Sequence, residues 1–201
     1  MHPRTRKLWD RQCGWVGDRR PLFTAVADAV DVSTVLYPGS YVDLGPSFVW
    51  PSVTYADSDR RADQFFSDTA GVDELLAEHD VDPDSRSVRF LHSDYREPLD
   101  VDDRSVDLLV SLYAGFVSEH CYRYLRPGGF LLVNPSHGDA AMASIDPAYS
   151  LTAVVTHRSG RYRVRSDDLD RYLVPKRDVH VTRELLHETG RGVAYTVSAF
   201  A

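Results

Sequence analysis

Within SVDLLVSLYAG, residues Asp107 to Leu112 form a nearly continuous apolar run. A strand that keeps no polar alternation is buried on both faces, which requires helices above and below the sheet that holds it. The flanking sequence supplies that layout. Four further short strands are read at Val35 to Tyr37, Val53 to Ala56, Val88 to His92 and Phe130 to Val133. Between them lie segments of helical spacing. Leu22, Phe23, Val26, Ala27 and Val30 follow Pro21, a residue suited to a first helical turn; Ala62, Phe65 and Phe66 come next, then Val72, Leu75 and Leu76, and finally Phe116 to Leu125, closed by RPGG. Five strands alternating with helices predict an α/β fold: a doubly wound, mostly parallel Rossmann-like sheet with right-handed crossovers and helices on both faces.

The tail breaks this rhythm. Tyr149 to His157 and Arg161 to Arg165 read as a hairpin around Ser159-Gly160, Asp168 to Leu173 and Thr182 to His187 as helical, and Val193 to Phe200 as a final alternating strand. An antiparallel C-terminal edge is the expected result. No repeat or linker marks a second unit, so residues 1–201 are read as one domain: an N-terminal extension (1–20), a core (35–133) and a C-terminal part (149–201). The extension, with Trp9 and Trp15 as its large anchors, is expected across the outside of the sheet or over the pocket as a lid.

Charge and cysteine content exclude several classes of protein. Thirty acidic residues against 23 Lys and Arg give a net charge of -7, which disfavours a general binder of phosphate backbones. Two cysteines, Cys13 and Cys121, are too few for a disulfide framework and fit a reducing cytosol. No window approaches the roughly 20 apolar residues of a membrane span. The expectation is a cytoplasmic protein that acts on a small molecule, with neither nucleic acid nor membrane as partner. His180 and His187 lack a third ligand, so no metal is expected. The adjacent His120 and Cys121 point in different directions on a helix and make a poor nucleophile pair.

In an open parallel sheet, ligands sit beyond the carboxyl ends of the strands. Gly39, after the first strand, and Asp57, after the second, would flank such a pocket. The glycine lets the backbone approach a ligand, and the carboxylate can accept hydrogen bonds from a ribose diol.

LRPGGFLLV (Leu125 to Val133), SVDLLVS (Ser105 to Ser111) and the acid-tipped VTYADSD, at a suitable distance from Gly39, together resemble the class I S-adenosylmethionine-dependent methyltransferases over roughly Val35 to Val133. The resemblance implies S-adenosylmethionine as cofactor. It places Gly39 and Ser40 in the cofactor loop, Asp57 at the ribose and Asp94 beside the adenine. Ser111 and Tyr113 fall at the end of the fourth strand, where cofactor and substrate meet. Two positions depart from the family pattern: Tyr37 stands where an acid is common, and Tyr41 replaces the next glycine.

His137 and Asp139 in SHGD, with Tyr113, are the candidate bases. Plainer roles compete with these. Asp139 would cap a helix running toward Met142, Asp57 and Asp59 would cap the helix after the second strand, His137 would be a turn residue and Tyr113 a pocket wall. Methyl transfer to a small molecule is therefore weighed against a silent methyltransferase-like scaffold that binds a partner. A dinucleotide-dependent oxidoreductase ranks third, since its glycine-rich turn is missing.

Overall fold

The computed structural model describes residues 1–176 and 180–189. Five parallel strands make one sheet: β1 (Thr34–Pro38), β2 (Ser52–Asp57), β3 (Ser87–His92), β4 (Val106–Ser111) and β5 (Leu125–Val133). Their order is β3-β2-β1-β4-β5, with the chain reversing its direction of travel across the sheet between β1 and β4. That reversal opens a crevice at the carboxyl ends of β1 and β4. β4 is buried at every position, as its apolar run requires. The RPGG turn lies within β5: Leu125 pairs with Val106 and Phe130 with Leu108, so Arg126 to Gly129 bulge out of register.

Alternation along β1 sends Val35 and Tyr37 to one face and Leu36 to the other. The first face is thickly covered by α1 (Pro3–Val16), α2 (Arg20–Ala27), α3 (Arg60–Phe66) and α4 (Thr69–Glu78). Phe65, Phe66, Leu75 and Leu76 are core residues there. The second face carries α5 (Val117–Cys121), with Leu99 and Tyr124 packed beside it. A short α6 (Asp139–Ile145) follows β5, and α7 (Arg183–Thr189) packs on α6 through Leu186, Ala141 and Met142.

The N-terminal extension is helical, which its mixed composition concealed. His2 accepts the Arg4 N–H at the start of α1, Pro3 opens the helix, and Leu8 with Trp9 forms a narrow apolar stripe. Trp9 packs against Phe48, Phe65 and His79, while Thr5 donates to Asp68 at 2.7 Å. The helix is thus part of the first-face core rather than a loose cover. In the tail, β6 (Val154–Arg158) and β7 (Arg161–Arg165) form the expected hairpin as a separate two-stranded antiparallel sheet packed near α2. Helix over Asp168 to Leu173 shrinks to one 3-10 turn at Leu169–Arg171. The strand expected at Val193 to Phe200 lies outside the described residues.

At the amino end of β4, Asp107 Oδ2 accepts the N–H groups of Ser33 and Thr34 and the Ser33 hydroxyl, all at 2.8 to 2.9 Å. Burial pushes this carboxyl up, but the hydrogen bonds from Ser33 and Thr34 outweigh it and bring it to about 2. Asp107 therefore pins the entry of β1 beside β4.

Candidate functional site

The turn after β1 sets the geometry at the crevice. Gly39 has φ +65, a left-handed conformation that glycine adopts without strain, and its N–H donates to Ala56 at 2.7 Å. A Cβ at this position would lie 2.4 Å from the Ala114 Cβ, so the chain after β4 closes directly onto the glycine. The Tyr95 hydroxyl donates to the Ala114 carbonyl at 3.1 Å and holds that segment down. Burial pushes the Tyr95 phenol up to about 12, which keeps it protonated and donating.

Asp57 stands at the tip of β2, half-buried. Its Oδ2 accepts the Tyr41 N–H at 2.7 Å and its Oδ1 the Asp59 N–H at 2.8 Å. It spans the β1 and β2 turns and does not cap α3. Asp59 takes that role, accepting the Arg61 N–H. Each Asp57 oxygen retains a lone pair for a further donor. Tyr41, itself left-handed at φ 49, turns its ring toward the α3 side, where the Arg61 guanidinium lies 5.3 Å from the ring centroid. Ser40 is buried, and its hydroxyl reaches the Tyr41 carbonyl at 3.4 Å. Asp94, after β3, is held by Arg96 through both carboxylate oxygens, and this hydrogen-bonded pair keeps its carboxyl below the usual range.

Two polar clusters that sequence reading did not assemble flank the crevice. In the first, Arg19, just ahead of α2, donates from Nη1 to Asp43 Oδ2 at 2.7 Å and to the Tyr37 hydroxyl at 2.9 Å. The Tyr37 hydroxyl also donates to Asp43 Oδ2 at 3.2 Å, and Asp43 Oδ1 accepts the Gly45 N–H at 3.1 Å. The tyrosine at the usual acid position is thus fully buried and hydrogen-bonded, and burial pushes its phenol well above its ordinary value. The Arg19 guanidinium also lies over the ring of Tyr113, 5.1 Å from its centroid.

In the second cluster Asp139 is the first residue of α6 but is not its cap. It is buried at 1% exposure and accepts from the Ser111 and Ser118 hydroxyls and from the Ser118 N–H. These bonds join β4, α5 and α6. Burial raises its carboxyl pKa, and the serine donors only partly offset that rise. Ser111, read as a cofactor contact, spends its hydroxyl on this carboxylate. Asp139 itself faces inward.

His137 and Tyr113 are the exposed members of the site, and both are left-handed, at φ 57 and 64. His137 Nδ1 lies 2.7 Å from the Ser136 hydroxyl, and Asn134 Oδ1, buried, accepts the Tyr113 N–H at 3.4 Å. Cys121 is buried, with its thiol pushed up to about 12, and His120 instead packs against Tyr95. A nucleophilic Cys/His pair is thereby excluded. Among the described residues no group of three or more His, Cys, Asp or Glu is arranged to hold a metal.

A cavity of about 1010 Å³ lies away from these groups. It follows the outer edge of β5, between Phe130, Ala143, Tyr149 and Leu173. β5 has a strand partner on one side only among the described residues.

The parallel five-stranded sheet and its reversal beside β1 give the chain a Rossmann-like α/β fold similar to that of solved methyltransferases. A putative O-methyltransferase from Klebsiella pneumoniae superposes with a TM-score of 0.50 at 14% identity, over 82% of this chain and 88% of that one. A SAM-dependent methyltransferase from Thiobacillus denitrificans, in complex with S-adenosyl-L-homocysteine, gives 0.42 at 18% identity over 59% and 48%. The YcgJ protein from Bacillus subtilis gives 0.44 at 17% over 61% and 54%. The chain spans about half the length of these last two proteins. No family model and no curated protein matches the sequence. No described helix is long and apolar enough to cross a membrane.

Proposed function

We propose that the protein transfers a methyl group from S-adenosylmethionine to a small molecule. The observation that carries this reading is Asp57. A half-buried carboxylate at the tip of β2 bridges to the Tyr41 N–H of the β1 turn and keeps a lone pair on each oxygen. The residues suit the cofactor at this end, because Tyr41, the bulky substitution in the glycine turn, carries its ring toward Arg61. Asp57 would hold the ribose, Gly39 and Ser40 the turn beneath it, and Asp94 the adenine side. The cofactor supplies an activated methyl group, and the protein supplies alignment.

His137 is the candidate base. Its Nδ1 is engaged with Ser136, which sets the ring orientation and leaves Nε2 to accept a proton from an acceptor hydroxyl or amine. Tyr113, exposed after β4, would form a wall of the site. Asp139 is withdrawn from the candidate bases, since both its oxygens are enclosed by serine donors.

Titration calorimetry with S-adenosylhomocysteine tests the proposal. Micromolar binding is expected, and Asp57→Ala should weaken it at least about tenfold, the loss expected for charge-assisted bonds. A second reading, the silent scaffold, draws support from the Ala114 side chain seated on Gly39. An absence of heat across the millimolar range would favour it.

A further inference from the structure

We propose that the outer face of the β6–β7 ribbon binds the phosphate backbone of a single-stranded nucleic acid through Arg158, Arg161 and Arg163. The inference goes beyond the methyl-transfer reading and rests on a different part of the surface.

Register fixes which side chains share that face. Ser159 and Gly160 have positive φ, 51 and 74, the two-residue turn whose twist suits a hairpin. Arg158 stands directly opposite Arg161, and Thr156 opposite Arg163. Opposed residues of an antiparallel pair point to the same side, so the three arginines lie on one face. The other face is committed inward. Val155 is buried in the first-face core, and Tyr162 and Val164 pack against it. That packing turns the arginine face to solvent, where Arg158, Arg161 and Arg163 are all exposed.

The charges on this face are uncompensated. Arg165 gives its guanidinium to Asp167, whereas those of Arg158, Arg161 and Arg163 reach no carboxylate among the described residues. Residues 147–166 contain no Asp or Glu, and the segments outside the described residues add a single acid, Asp178. Like charges directly across a ladder destabilise it, and Arg158 against Arg161 is such a pair. An anion seated between them removes the repulsion. The net charge of -7 averages over a surface on which the signs are segregated, so it does not describe this patch.

Spacing and surroundings favour a nucleic acid. Alternate residues on a strand are about 6.8 Å apart, so Arg161 and Arg163 form a row of cations that successive phosphates can follow. Each guanidinium offers phosphate oxygens a two-nitrogen fork. Beside the turn, the His157 and Tyr162 rings stack with centroids 4.3 Å apart, and His157 is exposed, so an unpaired base can extend the stack. A duplex keeps its bases inside and cannot use that ring. The ribbon also lies against α2, which prevents it from entering a groove as a free two-stranded reader does. Ser159 and Gly160 give the tip no apolar side chain to insert into a membrane.

The test is fluorescence anisotropy of a labelled single-stranded RNA of about 12 nucleotides, within the usual site sizes of single-strand binders. It is run over a series of salt concentrations with no S-adenosyl compound present, so its outcome is independent of the methyl-transfer reading. Three variants are compared after a check of circular dichroism and melting temperature. The triple change Arg158→Gln, Arg161→Gln and Arg163→Gln removes the patch. Arg161→Glu places an opposite charge across from Arg158. Arg4→Gln, Lys7→Gln and Arg11→Gln together remove the same charge from exposed positions of α1.

The expected result is saturable binding whose log K falls against log salt with a slope of about -2, from three phosphates at about -0.7 each. The ribbon triple should weaken binding at least about tenfold and flatten that slope, while the α1 triple leaves both unchanged. Arg161→Glu should weaken binding by a similar factor without lowering the melting temperature, because it relieves the cross-strand repulsion. Equal binding of a single-stranded DNA of the same sequence supports the inference, since the phosphates are shared. The inference is overturned if the wild type does not bind the RNA at low salt, if the ribbon and α1 triples weaken binding equally, or if Arg161→Glu binds as the wild type does. It is also overturned if duplex DNA, polyglutamate or vesicles of equal parts phosphatidylserine and phosphatidylcholine bind more tightly than the single strand.

Discussion

The clusters around Asp43 and Asp139 lie beside the same crevice, yet they solve the problem of a buried carboxylate in opposite ways. Asp43 is neutralised by a countercharge, Arg19, with Tyr37 and Gly45 as additional donors. Asp139 has no cation against it among the described residues and relies on neutral donors from Ser111 and Ser118. A countercharge offsets part of the cost of burying a carboxylate, whereas a lone buried carboxylate keeps much of its desolvation penalty, as the raised pKa of Asp139 records. The first arrangement leaves the Arg19 Nε and Nη2 without an acceptor among the described residues. The second spends every donor inward, suited to locking β4, α5 and α6 together.

Removing each centre should sharpen this contrast. Asp139→Ala is expected to have the largest effect, because it strands two serine hydroxyls and the Ser118 N–H around a cavity. At about 1 kcal/mol or more for each unsatisfied group, the loss should reach about 3 kcal/mol in urea denaturation. A loss below about 1 kcal/mol would mean that the serines re-pair locally and that the lock is not made by Asp139.

A double-mutant cycle on Arg19→Ala and Asp43→Asn comes next. Breaking the pair from one side leaves a partner charge poorly compensated, so each single change should cost about 2 kcal/mol. The double variant should recover part of that cost, giving a coupling of about 1 kcal/mol or more. Strict additivity would show that the two residues do not act as a pair.

The smallest effect is in pH dependence, where the sign matters more than the size. The folded-state pKa of Asp139 is raised, so its stabilising contribution is complete below the ordinary aspartate value of about 3.9 and is lost as pH rises through the raised value. Relative to Asp139→Asn, the wild type should lose stability as pH rises above about 4. Asp107 has the opposite sign: its folded pKa of about 2 stabilises the protein above about 3.9 and that contribution disappears as pH falls toward 2. Denaturation curves of Asp107→Asn and Asp139→Asn at several pH values would separate the two slopes, and parallel slopes would refute the assignment.

Much of the fold was legible because local pattern encodes it. The apolar run of β4, the RPGG turn before Phe130 and the helical spacing of Phe65, Phe66, Leu75 and Leu76 each record burial over a few consecutive residues. Asp57 could be placed at a strand tip for the same reason. Helix α1 escaped notice because its buried stripe is only Thr5, Leu8 and Trp9, and its stability comes from partners such as Asp68, far along the chain. The sequence offers Asp139 as a candidate base or, more plainly, a helix cap, because it follows β5 at the start of α6. Its inward turn depends on Ser111 and Ser118, 28 and 21 residues away.

The sequence by itself determined the alternation of strands and helices, the glycine turn and the acid at the tip of β2, because hydrophobic period and turn chemistry act over short stretches of chain. Only the tertiary structure decided which charges meet. Arg19 reaches Asp43 across 24 residues and overlies Tyr113 after β4, and Ala114 descends onto Gly39. Those contacts depend on how the strands are ordered in the sheet, and their partners carry no local signal of one another.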